Sequence, residues 1–322
     1  MPEWLYEAGI GEARAALIED GRILEARIEP DGAGLRVGAI LPARLIEITT
    51  KGREGRVTLD DGSEATLYPL PPGITQGARL TVRIVREGIP EAGRPKRPRA
   101  TPSDDAPAPA PDLLGRITAT GHPVRTLRAH ESDALEQAGW SEVLEEAMTG
   151  EIAFPGGALR MTPTPAMTLF DVDGTGPLEA LACLAATAVA EAILRHDIGG
   201  SIGIDFPTIV GKGPRQAVAA AIDHTLPLPF ERTAVNGFGF LQIVRPRTHA
   251  SLPERLRAAP AAARMRALLR QIERTPPPVP ARHRVSARLL AVLAAHPTWV
   301  EELARRTGVA PIFELETIHG QD

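Results

Sequence analysis

The sequence contains little cysteine, few aromatic residues and no excess of positive charge. Its one cysteine, Cys183, excludes an internal disulfide and a Cys-x-x-Cys metal site. Aromatic residues account for 4% of the chain, so we do not expect a binding surface built mainly from stacked rings. The 36 Lys and Arg residues are outnumbered by 40 Asp and Glu residues, and the net charge of -4 argues against a strongly basic nucleic-acid-binding protein. Local basic patches can still bind phosphate.

The chain also lacks a long uncharged apolar run. The longest apolar stretch, residues 178–194, contains Glu179 and Glu191, which indicates a core helix rather than a membrane span. The first residues show no basic region followed by an apolar stretch, so we expect no signal peptide. These features predict a cytoplasmic protein that has no membrane partner.

The pattern of apolar residues predicts an α+β fold of several domains. An Asp20-Gly21 turn between two alternating runs predicts a β-hairpin near the start. Four or five short strand-like runs then follow, and they are typical of a small barrel of the oligonucleotide-binding (OB) type. The predicted parts are an N-terminal β-hairpin segment (1–34), the barrel (35–92), a flexible linker and remnant connection (93–139), an α/β domain (140–252) and a C-terminal small α/β segment (253–322).

The start of the predicted linker is rich in Pro, Arg, Ala and Asp. It contains four basic residues: Arg94, Lys96, Arg97 and Arg99. They belong either to a solvated tether or to an arm that contacts phosphate beside the barrel. The sequence leaves both interpretations open.

Two aspartates, Asp171 and Asp205, each end an apolar run, and the residues between the two runs form one helical pattern. A strand–helix–strand unit implies parallel strands joined by a right-handed crossover. Parallel neighbours place their carboxyl ends at one edge of the sheet, where open α/β sheets hold their ligands. We therefore expect both carboxylates at one crevice, where a Mg²⁺ ion would offset their like charges.

The string Asp171-Val172-Asp173-Gly174 also matches two other motifs. A haloacid-dehalogenase-type phosphatase would use Asp171 as a nucleophile, but it needs a later lysine and a later acidic motif that are not found in order. A calcium-binding EF-hand loop that starts at Asp171 would place Ala182 at its twelfth position. Because alanine cannot bind the ion, the calcium interpretation fails.

Three sequence blocks in a fixed order resemble the catalytic domain of the ribonuclease E/G family. They are MTLFDVD at 167–173, ILRHDIGGSIGIDF at 193–206 and GFGFLQIVRPR at 237–247. The resemblance covers roughly residues 143–252. The opening hairpin and the barrel resemble the family's inserted S1 barrel more loosely.

The resemblance implies a catalytic domain that hydrolyses single-stranded RNA internally, with Mg²⁺, or alternatively Mn²⁺, held by Asp171 and Asp205. Asp173 stands where the family usually has Asn, and its carboxylate would tune the first metal ligand. Arg245, and with a weaker claim Arg247, would neutralise RNA phosphate, or both would be surface charges. Tyr68 is the candidate for stacking on the barrel.

Two family features have no counterpart in the sequence. The family's zinc link between protomers uses cysteine, so we expect no zinc here, and a homodimer would have to form without it. The segment between the barrel and Trp140 is also too short for the family's 5′-end sensor domain. The leading hypothesis is a reduced Mg²⁺-dependent endoribonuclease, and the rival is a non-catalytic RNA-binding protein of the same fold.

Overall fold

The computed structural model describes residues 1–32, 34–50, 53–91, 93 and 95–316. It shows a mixed α/β chain with a closed five-stranded barrel and separate sheets. Among these residues, no helix combines the length and the apolar character that crossing a membrane requires.

The N-terminal strands belong to a four-stranded sheet. They are β1 (Glu3–Ala8), β2 (Glu12–Glu19) and β3 (Arg22–Pro30). β2 and β3 form the predicted hairpin, whose turn residues Asp20 and Gly21 both have positive φ angles, 51° and 75°. A two-residue turn with positive φ at both residues has a backbone twist that matches the twist of the two strands it joins.

The barrel follows directly. Its strands are β4 (Ile40–Thr50), β5 (Glu54–Leu59), β6 (Glu64–Leu67), β7 (Arg79–Arg86) and β8 (Arg99–Pro102), which close in the order β4-β5-β6-β8-β7. Alternating residues such as Leu45, Val57 and Leu67 are fully buried inside it. The barrel therefore encloses its own apolar core.

The segment 93–139, predicted as a linker, contributes strands to the barrel and to the N-terminal sheet and also contains two short helices, so the prediction of a linker alone is wrong. After β8, its elements are α1 (Leu113–Thr118), β9 (Val124–Thr126) and α2 (Ala134–Gln137). β8 closes the barrel by pairing with β6 and β7, and β9 joins the N-terminal sheet beside β1. The short sequence of β8 has almost no apolar alternation, and its strand conformation comes from these backbone partners.

A six-stranded sheet forms the central unit. After α3 (Trp140–Thr149), its elements are β10 (Glu151–Phe154), β11 (Gly157–Pro163), β12 (Thr168–Gly174), α4 (Leu178–Arg195), β13 (Gly200–Asp205), α5 (Lys212–Thr225), β14 (Glu231–Arg232) and β15 (Phe240–Arg245). The strand order is β10-β11-β12-β13-β15-β14. β12 and β13 are parallel, which confirms the predicted strand–helix–strand unit, and α4 and α5 pack on one face of the sheet.

The remaining elements form a small C-terminal α/β segment. They are α6 (Leu252–Ala258), α7 (Pro260–Glu273), β16 (Arg282–Val285), α8 (Ala287–Ala295), α9 (Pro297–Thr307) and β17 (Ile312–Leu315). β16 and β17 pair in parallel. Met265 and Leu269 of α7 pack with Trp299 and Leu303 of α9 in one apolar cluster.

Candidate active site

Asp171 of β12 and Asp205 of β13 are direct register partners on neighbouring parallel strands. Neighbouring strands lie about 4.8 Å apart, and register partners point to the same face of a sheet. Both side chains are exposed. The predicted meeting of the two aspartates is therefore confirmed, but the prediction that both end their strands is wrong for Asp171, because β12 continues through backbone pairing with β11 as far as Gly174.

The alternation of apolar and acidic residues sets which face carries the carboxylates. On β12, Phe170 and Val172 are buried against α4 and α5, and on β13, Ile202 and Ile204 are buried in the same core. Because successive strand residues point to opposite faces, the aspartates between and beside them project from the uncovered face. The apolar residues thus anchor the strands and leave the carboxylates in solvent.

Asp173 lies on the same uncovered face as Asp171, two residues farther along β12. Its register partner on β11 is Ala158, and β13 has no paired residue at that level. Its side chain is exposed. The structure therefore brings Asp173 close to the pair, as an additional negative charge.

Arg160 of β11 is a site residue that the sequence analysis missed. It is the register partner of Asp171, and its Nε donates a hydrogen bond of 3.0 Å to Glu151 of β10. That bond, together with the nearby carboxylates of Glu151, Asp173 and Asp171, raises the pKa of the Arg160 guanidinium. The register of β11 with β12, which the short connection at 164–167 joins, is the signal that could have identified it.

The donor set at the pair fits a hard divalent cation. Mg²⁺ prefers oxygen ligands, is bound in proteins through one or two carboxylates, and keeps several water molecules. In the part of the chain that the structure describes, no group of three or more His, Cys, Asp or Glu side chains is arranged to hold a metal. A cation here would have Asp171 and Asp205 as protein ligands, with its other positions left for water and substrate.

Arg245 is not brought to the aspartate pair. β15 runs antiparallel to β13, so Phe240 is opposite Asp205, and Arg245 is opposite Gly200 at the other end of the strand. Its Nη1 donates to the carbonyl of Ile198 at 3.1 Å. Burial lowers the pKa of Arg245, against the opposing effect of Asp197 and Glu25.

Arg247 lies at the same distant end and joins the barrel to α6. It forms ion pairs with Glu91, at 3.1 Å, and with Glu254. Its side chain also packs against Gly200, where an added Cβ would approach Arg247 Cδ to 2.9 Å. These contacts make Arg247 a link between the barrel and the central unit.

The predicted RNA-contacting residues of the barrel lie beside β6 and β8. The Arg99 guanidinium stacks over the exposed Tyr68 ring at 4.6 Å. Lys96 pairs with Glu91 at 2.5 Å, and the Arg97 guanidinium lies 3.8 Å from Glu64. Arg94 lies outside the described residues.

Comparison with models of known protein families and with curated proteins gives no match for this chain. The resemblance to the ribonuclease E/G family therefore rests on the three sequence blocks. The register of Asp171 and Asp205 is an independent, geometric observation.

Proposed function

We propose that the chain is a metal-dependent endoribonuclease that hydrolyses single-stranded RNA in RNA processing or decay. The observation that carries the proposal is the register pairing of Asp171 with Asp205 on an uncovered face of the sheet. Paired carboxylates on neighbouring parallel strands are suited to hold Mg²⁺, or Mn²⁺ in its place. The sequence blocks that resemble the ribonuclease E/G family contain both residues.

Each residue of the site has a distinct part in this proposal. Asp171 and Asp205 hold the ion, and Asp173 adds negative charge beside them. Bound Mg²⁺ supplies a Lewis acid for the scissile phosphate and lowers the pKa of a bound water molecule. Arg160, fixed by its hydrogen bond to Glu151, neutralises a phosphate oxygen beside Asp171. Hydrolysis would leave 5′-phosphate and 3′-hydroxyl ends.

The closed barrel has the part of an S1/OB-type RNA-binding domain in this proposal. Exposed Tyr68 and the Arg99 guanidinium above it offer a stacking surface with a positive charge, which suits single-stranded nucleic acid. Lys96 and Arg97 lie on the same arm and would contact the RNA backbone. We propose a cytoplasmic enzyme that needs no zinc, with any homodimer formed by other contacts.

The direct test is incubation of end-labelled single-stranded RNA with the purified full chain in Mg²⁺. We expect internal cleavage that stops with a chelator and resumes when Mg²⁺ or Mn²⁺ is restored. Asp171→Asn and Asp205→Asn should each lower the cleavage rate by at least about 100-fold, since each removes a ligand of the catalytic ion. Asp60→Asn, the same charge change in an exposed barrel turn, should cleave like the wild type.

Cleavage that persists in both site variants would defeat the assignment. The second candidate is a non-catalytic RNA-binding protein, and it is favoured by the small number of protein ligands at the pair. RNA binding without cleavage at any Mg²⁺ or Mn²⁺ concentration would select it. Turnover of a generic phosphomonoester, with a covalent phosphate on Asp171, would instead select a phosphatase.

A further inference from the structure

A tight turn lies immediately beside the aspartate pair. It comprises residues 236–239 and joins β14 to β15. The Asn236 side-chain oxygen accepts hydrogen bonds from the backbone N–H groups of Phe238, at 2.9 Å, and Phe240, at 3.0 Å. The Gly239 N–H donates to the Asn236 carbonyl at 3.2 Å, and Gly239 adopts a φ angle of +94°. These bonds hold the turn in one conformation.

The turn is fixed to the strand that carries Asp205. Phe240, where β15 begins, is the register partner of Asp205, and the Phe206 N–H donates to the Gly239 carbonyl at 3.2 Å. Gly239 packs so closely on this strand that an added Cβ would lie 2.3 Å from the Phe206 oxygen. Two residues of chain span at most about 7 Å, so Phe238 lies close to Phe240, the register partner of Asp205.

Phe238 is 84% exposed at this position. Burial of a phenylalanine side chain stabilises a folded protein, and Phe170 and Phe206 of the same unit are buried. Phe238 gains no such stabilisation, although the hydrogen bonds around it hold its backbone firmly. An aromatic ring on a rigid support is available to a ligand at little cost in conformational entropy.

Two cations lie on the helix that follows Asp205, and one of them is beside the turn. Lys212 and Arg215 lie in the first turn of α5, which follows the loop after Asp205. An added Cβ at Gly237 would lie 3.7 Å from Arg215 Nη1, so the guanidinium runs alongside the turn. Asp223 of α5 forms an ion pair with Arg232. Lys212 and Arg215 form no ion pair with a carboxylate that the structure describes. Their charges remain available for phosphate.

We propose that Phe238 stacks on a nucleobase next to the scissile phosphate, while Arg215 and Lys212 hold the phosphate that follows. This inference rests on the proposed function and names how that site grips its strand. Stacking on an aromatic ring accepts every base, because each base has a π-face. Phosphate contacts position the strand without reading its sequence. The site thus favours single-stranded RNA of any sequence, since a paired base would not be free to stack.

A nucleic acid fits this surface better than a protein partner does. In the loop between Asp205 and α5 and in the turn before Phe240, the exposed large apolar residues are Val210 and Phe238. Two such side chains offer far less apolar area than a specific protein interface, which buries about 800 Å² on each partner. One ring, with a guanidinium beside its turn and a second cation in the same turn of α5, matches one base with its phosphate.

Binding can be measured without cleavage. The probe is a fluorescein-labelled single-stranded RNA of about 12 nucleotides, within the usual site size of such proteins, and the protein is the full chain with Asp171→Asn. Adding Phe238→Ala should weaken binding about 5- to 100-fold, the range expected for loss of one base–aromatic stack. Phe238→Tyr should restore it. Leu228→Ala removes an apolar side chain of similar exposure, 78%, from the other end of α5 and should have no effect.

A second series identifies the contact as a base. Abasic nucleotides are placed one at a time along the probe. At one position, removing the base should weaken binding to the protein that retains Phe238. At the same position, removing the base should not weaken binding further in the protein with Phe238→Ala. Equal affinity of the Phe238→Ala and Leu228→Ala proteins, or a loss that no abasic position reproduces, overturns the inference, as does a failure of the parent protein to bind RNA.

The outcomes also separate the two proposals. If Phe238→Ala weakens binding while the unmutated chain never cleaves RNA, the base site stands and the nuclease proposal fails. If the chain cleaves RNA and Phe238→Ala binds normally, the nuclease proposal stands and the base site fails.

Discussion

Arg160 lies directly across from Asp171 on the neighbouring antiparallel strand. These two residues belong to a row of register partners across the sheet, with Glu151 on one side and Asp205 and Phe240 on the other. The charges along this row are therefore negative, positive, negative, negative. A phosphate bound at the aspartate pair through a cation would lie beside the one guanidinium of the row.

We predict that Arg160→Gln lowers kcat/KM for RNA cleavage about 10- to 100-fold, because it removes a charge-assisted hydrogen bond to the phosphate. The same change should tighten Mg²⁺ binding about threefold to tenfold, since it removes a repelling charge near the ion. Steady-state kinetics and Mg²⁺ titration by calorimetry measure the two effects. Their opposite signs distinguish loss of a phosphate contact from general damage to the fold.

Arg232→Gln is the matched control for Arg160. Arg232 lies on β14 of the same sheet and pairs with Asp223 of α5, so it faces the covered side. We expect its kcat/KM and Mg²⁺ affinity to stay close to the wild-type values. Equal losses in both variants would remove Arg160 from the site.

The course of the chain through the central unit could be predicted because the signals there are local. The apolar runs before Asp171 and Asp205, and the helical pattern between them, correspond to β12, β13 and α4. The position of Arg245 could not be predicted in this way. It ends a strand, as Asp205 does, but that strand runs antiparallel to β13, so its carboxyl end lies at the opposite edge.

The two missed features, Arg160 and β8, depend on pairing with neighbouring strands. Arg160 becomes a site residue only through its register with Asp171 across the β11–β12 connection. β8 is a strand because β6 and β7 pair with it, and only Ala100 within it is buried. Pairing across a sheet is a tertiary property that a local apolar pattern does not contain.

Asp173→Asn is predicted to weaken Mg²⁺ binding about fivefold to tenfold. Asp173 and Asp171 are two residues apart on one face of a strand, and a unit charge about 7 Å from a divalent ion contributes roughly 1 kcal/mol even in a water-like dielectric. Calorimetric titration with Mg²⁺ measures the change. High salt should shrink the difference, because this charge is exposed and screened.

Asp60→Asn serves as the comparison for Asp173, since it removes one exposed carboxylate from a barrel turn. We expect its Mg²⁺ affinity to equal that of the wild type. If Asp173→Asn also leaves Mg²⁺ affinity unchanged, the Asp173 carboxylate does not act on the ion.

Gly203→Ala is predicted to destabilise the protein by about 1–3 kcal/mol, the usual cost of overfilling a packed site. Gly203 lies on β13 beneath Phe240 and Leu169, and an added Cβ would approach their ring and methyl carbons to 2.7 and 2.8 Å. Gly213→Ala on α5 meets no atom within 4 Å, and its stability should stay the same or rise by up to about 1 kcal/mol. Urea denaturation of the two variants measures the difference. A Gly203→Ala protein as stable as the wild type would contradict this packing.

Glu7→Gln tests the ionic connection between the N-terminal sheet and α7. Buried Glu7 accepts hydrogen bonds from Arg14 at 2.7 Å, from Arg270 at 2.8 Å and from Arg274 at 2.6 Å. We predict a loss of about 3–5 kcal/mol in the free energy of unfolding near neutral pH, because breaking a buried ion pair leaves the partner charges uncompensated. Glu3→Gln, in the exposed pair with Arg125 at 3.6 Å on the same strand, should cost less than about 1 kcal/mol.

The effect of Glu7→Gln should also depend on pH. Burial alone would raise the pKa of Glu7, but Arg270, Arg14 and Arg274 outweigh it and lower the pKa from 4.5 to about 2. A carboxylate whose pKa is lower in the folded state stabilises the protein above its unfolded pKa and loses that contribution as the pH falls toward the folded value. The stability gap between wild type and Glu7→Gln, measured by urea denaturation, should therefore be constant above about pH 5 and narrow between pH 4.5 and about pH 2. A gap that stays constant across that range would show that Glu7 acts through packing and not through its charge.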